Sequence, residues 1–337
     1  MLKESDKMLI LAKAVLSLMI GFLASMTLGM IIVPILRKSH IKQRVSVYLE
    51  DAHKLKDGTP TMGGIIFIIG AFVSIITLLL FDKMEFTPNL FIVLFVFVSY
   101  ALIGFLDDYL SIKRKTNIGL TAVQKIFLQL IVAIVFFYIH MKTGNEPTLE
   151  IYTLNIKLDM GWFYGFFILF VLLGGSNAVN LTDGLDGLAG GLSLIAFLAQ
   201  GIIAWGSGWV SGYQDIAIFC FVIVGALLGF LLFNTHPAKV FMGDTGSLAL
   251  GATLATIAII TDHEITLLFI MGVFIIETLS VILQVIWIKL FRKKLFLMTP
   301  LHHHFEKLGM HERDIVKVFW VVGLLLAMAC IAFGVWI

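Results

Sequence analysis

Asp107 and Asp108 stand side by side where an apolar block gives way to polar residues. Neighbouring carboxylates can bind a hard cation such as Mg²⁺, which accepts one or two carboxylates together with substrate phosphate oxygens. They can equally be a solvated pair at a loop edge. At a helix C-terminus, where the dipole is negative, they require a compensating cation. The run Asn177-Ala-Val-Asn180-Leu-Thr-Asp183-Gly-Leu-Asp186-Gly187 spaces Asn180, Asp183 and Asp186 three apart. They share a face if the stretch is helical, and Asp183 alone could cap the next helix. In Phe241-Met-Gly-Asp244-Thr-Gly-Ser247 the Asp is either an N-cap or a metal ligand beside a phosphate held on free backbone N–H groups. Lys56-Asp-Gly-Thr-Pro-Thr61-Met-Gly-Gly64 reads similarly, as a capped, Pro-initiated helix or as a lysine near a phosphate.

Three consecutive histidines, His302, His303 and His304, cannot all point one way, although His302 and His304 share a side if the segment is extended. Zinc would need further ligands, and His311 is the only other nearby histidine. Imidazoles also donate to phosphate, sugar or carboxylate groups. Glu277 and Gln284 lie two turns apart on one helical face, either as packing glue or, for Gln284, as part of a site. Cys220 and Cys330 lie in apolar blocks and read as packing. The sequence has no P-loop or dinucleotide fingerprint, so phosphates must be held by metal, lysine and helix ends.

The elements that position these groups are membrane helices. The chain is 59% hydrophobic and 14% charged, against roughly 45 to 50% and about 25% in a soluble domain. Its apolar blocks have the length that crosses a bilayer. The expected fold is all-α and polytopic, with ten spans near Ala14 to Leu36, Thr61 to Phe81, Asn89 to Leu106, Thr121 to His140 and Trp162 to Ala178, then Leu188 to Trp205, Gln214 to Phe233, Ser247 to Ile260, Ile265 to Leu290 and Ile315 to Ile337. Residues 1–337 form one membrane domain in this reading. The first span lacks an A-x-A-like cleavage site and is expected to remain as an anchor. Loops after odd-numbered spans carry sixteen Lys/Arg against six on the other side, which places them in the cytosol and both termini outside. Leu154, Ile156 and Leu158 alternate with polar residues, predicting a small outward-facing hairpin. Gly225 and Gly229 form a helix-packing G-x-x-x-G. On this topology the aspartates, asparagines and histidines converge at the cytosolic mouth. Ionisable groups recurring at one membrane face point to a functional site.

Asp107-Asp108, the run from Asn177 to Gly187, and Gly243-Asp244 together resemble the motifs of the polyprenyl-phosphate N-acetylhexosamine 1-phosphate transferases. The resemblance spans nearly the whole chain and implies a ten-helix, Mg²⁺-dependent enzyme. The stretches Lys56 to Gly64 and Thr299 to Glu306 look like its bacterial muramoyl-pentapeptide branch. That branch implies UDP-N-acetylmuramoyl-pentapeptide as donor, undecaprenyl phosphate as acceptor, and lipid I and UMP as products. It further implies a homodimer in the bacterial inner membrane and no nucleic-acid partner. By the family pattern Asp244 is the main Mg²⁺ ligand, and Asp107 and Asp108 position or deprotonate the lipid phosphate beside the metal. Asn177, Asn180, Asp183 and Asp186 line the nucleotide region. Phe241 stacks on uracil, with Asn234 and Gln284 near the nucleoside. Lys56, Thr61, Lys125, His302, His303 and His304 engage the phosphates and sugar. One departure is Ser111, where many relatives have a basic residue whose role Lys113 or Lys115 could cover. The competing readings are a transferase for another UDP-sugar and an organic-anion transporter. The latter should carry an inverted repeat, and none is evident.

Overall fold

A computed structural model describes residues 4–38, 58–114, 116, 119–151, 156–206 and 213–335. Lys56, Lys115 and the expected hairpin tip, 152–155, lie outside the described residues. Helices α1 (Glu4–Lys38), α2 (Gly64–Leu80), α3 (Pro88–Arg114) and α4 (Ala122–Lys142) are followed by β1 (Thr148–Ile151) and β2 (Ile156–Asp159). Then come α5 (Phe163–Thr182), α6 (Leu188–Gly206), α7 (Tyr213–Asn234), α8 (Gly243–Ile260), the short α9 (Glu264–Ile270), α10 (Gly272–Phe291), the short α11 (Leu301–Lys307) and α12 (Glu312–Val335). Among the described residues nine helices are long and apolar enough to span a membrane, and α2 is a shorter apolar tenth. The ten expected spans are therefore present, in an all-α polytopic membrane protein. The hairpin is present too: β1 and β2 pair antiparallel, with Leu149 opposite Leu158.

Helices α7 and α8 are buried nearly all round, whereas α4, α10 and α12 turn wide apolar faces outward. Small residues allow the central crossings. A Cβ on Gly225 would lie 2.0 Å from the Leu18 carbonyl oxygen, and one on Gly229 2.7 Å from that of Phe22, so the G-x-x-x-G seats α7 against α1. The α3–α8 crossing is equally close at Gly104, where a Cβ would lie 2.1 Å from the carbonyl oxygen of Asp244. That contact brings the aspartates of the two helices together.

Several boundaries differ from expectation, and each matters for the site. Helix α3 does not stop before Asp107 but runs to Arg114, because a helix continues into water when its last turns are polar. The acids thus sit within it, not at its C-terminus. Pro60 does not start α2, whose N-cap is Gly63. Instead Gly63 and Gly64 donate to the Phe241 and Met242 carbonyls at 2.8 and 2.9 Å, and Phe241 N–H donates to Pro60 O at 2.8 Å. The ninth expected span divides at Met271 into α9 and α10.

Candidate active site

The site begins with an end-to-side meeting of two helices. Helix α8 starts at Gly243, whose positive φ of 74° turns the chain into the helix, and its N-cap, Met242, makes no side-chain cap. Its first free N–H groups need acceptors. Asp108 supplies them from α3, accepting from Asp244 N–H at 3.2 Å, Thr245 N–H at 3.0 Å and Thr245 Oγ1 at 2.6 Å. Both Asp108 oxygens are engaged in this way. Asp244, in the first turn of α8, does not cap the helix. Its Oδ1 accepts from Asn180 Nδ2 at 2.8 Å, and the same amide donates to Ser247 Oγ at 2.9 Å. Its Oδ2 accepts from Lys125 Nζ.

Lys125 is held at this point by the start of α4. Thr121 and Gln124 form a reciprocal capping box, which satisfies two orphan N–H groups and fixes the first turn. The ammonium bridges Asp244 and Asp107, lying 3.3 Å from Asp107 Oδ1, which also accepts Leu120 N–H at 2.9 Å. Lys125 is thus the cation that Asp107 shares with Asp244, whereas Asp108 is met by the start of α8. Lys113 is exposed, and Ser111 donates to the Thr116 carbonyl at 2.6 Å. Asp107, Gly119, Leu120, Lys125, Ile126 and Asn177 line a cavity of about 330 Å³. Asn177 donates to Gln129 Oε1 at 3.0 Å and to Leu173 O at 2.8 Å.

The spaced Asn and Asp residues do not share one helical face, because α5 ends at Thr182. Asn180 reaches Asp244 from the last turn. Asp183 follows as the C-cap; burial, and then the charges of Asp244 and Asp108, push its carboxyl up to about 8. Asp186 turns elsewhere. Its Oδ2 accepts Ala238 N–H at 3.0 Å and lies 3.1 Å from His236 Nδ1. Glu312, at the start of α12, accepts Asp186 N–H at 2.7 Å and lies 3.2 Å from the same imidazole nitrogen. Asn234 is buried nearby, donating to Val240 O at 3.0 Å, with no partner among the described residues on its Oδ1. Phe241 pairs backbone to backbone with Pro60 and Gly63, and Thr61 Oγ1 stands beside the Asp108 carboxylate at Gly243.

The histidines are helical, in α11, so His302 and His304 do not share a side as in an extended chain. His303 Nδ1 lies 2.6 Å from Glu306 Oε2, and His304 Nδ1 accepts Leu297 N–H at 3.2 Å. His302 is fully buried against Glu277. Gln284 holds the preceding loop, with Oε1 accepting Leu295 and Phe296 N–H and Nε2 donating to Phe296 O.

Among the described residues, two groups have carboxylate or imidazole donor atoms within 4.8 Å of one another: Asp107, Asp108 and Asp244, and Asp186, His236 and Glu312. The first fits a hard divalent cation better. Its donors are all oxygen, a cavity adjoins it, and an ammonium already stands between two of them. The second sets an imidazole between two carboxylates that also accept backbone N–H groups. The residues missed from sequence are Thr245, Gln129, His236 and Glu312. Glu312 was legible only as the first residue of a terminal helix, and Thr245 only as part of the Gly-Asp-Thr-Gly run.

The chain matches the family model for glycosyl transferase family 4 over residues 90–262, and the first signature of phospho-N-acetylmuramoyl-pentapeptide-transferase over residues 56–68. It is 48% identical to the phospho-N-acetylmuramoyl-pentapeptide-transferase of Geobacillus sp. (strain WCH70), over 96% of this chain and 98% of the relative. The transferase of Bacillus subtilis (strain 168) is also 48% identical, over 95% and 98%. That of Shouchella clausii is 46% identical, over 95% and 97%.

Proposed function

The chain belongs to the phospho-N-acetylmuramoyl-pentapeptide-transferase family, and from that premise we propose how its residues divide the work of moving the phosphosugar from UDP-N-acetylmuramoyl-pentapeptide to undecaprenyl phosphate. An oxygen of the lipid phosphate bonds to the sugar-bearing phosphorus. The bond from that phosphorus to the nucleotide oxygen breaks, UMP departs, and lipid I remains in the membrane. The observation that carries this reading is the meeting of Asp107, Asp108, Asp244, Asn180 and Lys125 from four helices beside one cavity.

Asp244 and Asp107 would hold Mg²⁺, which when bound neutralises phosphate charge and aligns the pyrophosphate oxygens. Asp108 fixes the α3–α8 junction so that Asp107 and Asp244 keep their separation. Lys125 moves between carboxylate and phosphate, and Lys56, outside the described residues, is a second cation for the phosphates. Phosphoryl transfer is accelerated chiefly by such positioning and charge stabilisation. A base is not required near neutrality, because a phosphate monoester has its second pKa near about 6. Asp107 therefore positions the acceptor. Asn177, Asn180, Asp183 and Asp186 line the donor's path. Phe241, Asn234 and Gln284 shape the nucleoside end, Thr61 lies beneath it, and His302, His303 and His304 close the mouth.

The charge asymmetry of the loops supports a cytosolic mouth in the bacterial inner membrane. The wide apolar faces of the outer helices suit lipid and a homodimeric contact, with each chain a single membrane domain. The test is to incubate purified protein with both substrates, with and without Mg²⁺. UMP and lipid I are expected only with the ion. Full turnover after exhaustive chelation, or transfer of a different UDP-sugar in preference, would overturn the assignment.

A further inference from the structure

Glu277 lies inside the apolar helix α10 and is completely buried. A carboxylate in such surroundings is costly unless a hydrogen-bonded or charged partner meets it, and in a membrane helix it marks function together with that partner. The partner is His302. Its backbone N–H donates to Glu277 Oε1 at 3.1 Å, and its ring Nδ1 lies 3.4 Å from Glu277 Oε2. His302 is itself completely buried, and among the described residues neither ring nitrogen, nor Glu277 Oε2, has a hydrogen-bond partner, so Nδ1 and Oε2 face each other across 3.4 Å while Nε2 points the other way. That nitrogen faces the turn after Asp183: a Cβ on Gly184 would lie 2.3 Å from it. One carboxylate thus holds the backbone of His302 by a hydrogen bond and faces one ring edge with its other oxygen, and the opposite edge is aimed at the segment that joins α5 to α6.

We propose that Glu277 is a positioning residue for His302, accepting Nδ1–H so that Nε2 is presented to the Asp183–Asp186 turn in one fixed tautomer. In a neutral imidazole one nitrogen donates and the other accepts, so an acceptor fixed at Nδ1 determines what Nε2 offers. The same division of labour, a buried carboxylate selecting tautomer and ring direction, operates in hydrolase triads. Here it links α10 and α11 to the loop that carries Asp183 and Asp186. It also explains why Gly184 has no side chain.

This inference rests on the reading of His302 as part of the transferase site, and two measurements separate them. The first does not depend on activity: ¹⁵N-histidine spectra of the full-length protein in detergent, with the His302 signals assigned by their loss in His302→Gln. Wild type should show Nδ1 protonated at neutral pH. Glu277→Gln, which keeps the shape and one acceptor oxygen, should shift or broaden those signals, and Gly184→Ala should disturb them from the other side. Unchanged His302 signals in Glu277→Gln would overturn the proposal. The second is a turnover cycle. Glu277→Gln should lose roughly 10²-fold in kcat, with little change in donor KM and little further loss when added to His302→Gln. Fully additive losses would overturn the positioning role. Wild-type turnover in His302→Gln would instead remove His302 from the site, leaving the spectra to decide the pairing.

Discussion

Buried carboxylates occur at both ends of this molecule, and the two sets are partnered differently. At the mouth, Asp107, Asp108 and Asp244 meet an ammonium, an asparagine amide and the N-terminal N–H groups of α8. At the opposite end, Glu264 is also buried, but it accepts a hydrogen bond from Tyr164 Oη at 3.1 Å on one oxygen and has no partner among the described residues on the other. Burial, more than any neighbour, pushes Glu264 up to about 8, and burial followed by the charge of Glu150 pushes Asp262 up to about 6. Burial thus favours the neutral form of Glu264, which packs behind the hairpin. Burial alone therefore does not identify a site. The identity of the partners does, because cationic and N–H donors around carboxylates are also what a phosphate or a metal exchanges with.

The largest expected difference between the ends is in Asp244→Asn, which should lower turnover by about 10³-fold or more, since it removes a charge aimed at the reacting phosphates. Near-normal turnover would reduce Asp244 to a helix-end residue and erase the contrast. Asp107→Asn should cost about 10²-fold, with a deficit that stays nearly constant from pH 6 to 9 because the acceptor ionises by itself. A deficit shrinking more than about tenfold across that range would make Asp107 the base. Thr245→Val should be milder. It removes a hydrogen bond to a buried carboxylate, worth roughly 1.5 to 3 kcal/mol, and should appear as a lower Tm with about a tenfold drop in rate.

Glu264→Gln should change turnover by less than about threefold and act on stability instead. The folded state holds the Glu264 proton up to about pH 8, whereas an unfolded Glu releases it near about 4.3. Wild-type stability should then fall as pH rises through that window. The Gln variant lacks this loss, so its Tm should gain on wild type between pH 5 and 9. Parallel Tm curves would show that Glu264 is ionised at neutral pH.

Much of this was readable in the residues. Hydropathy located all ten spans, G-x-x-x-G marked a packing face on α7 without naming α1 as its partner, and the charge pattern gathered the acids at one mouth. The roles within the mouth were not readable, because they depend on contacts between distant residues. Asp108 and Thr245 are 137 positions apart, so nothing local reveals that the second Asp of the pair serves a helix end. Glu277 looked like packing glue because His302 lies 25 residues on. Hydropathy also ended α3 too early at its polar last turns, and passed over the break at Met271, where the residues are apolar on both sides.

Cation binding itself tests the central claim most directly. Mn²⁺ titrated into the purified protein and followed by electron paramagnetic resonance should show a tight site in wild type. That site should persist in Glu264→Gln and in Asp186→Asn and be lost in Asp244→Asn. Wild-type Mn²⁺ affinity in Asp244→Asn, or loss of the site in Asp186→Asn alone, would contradict the assignment of the cation to the α3–α8 junction.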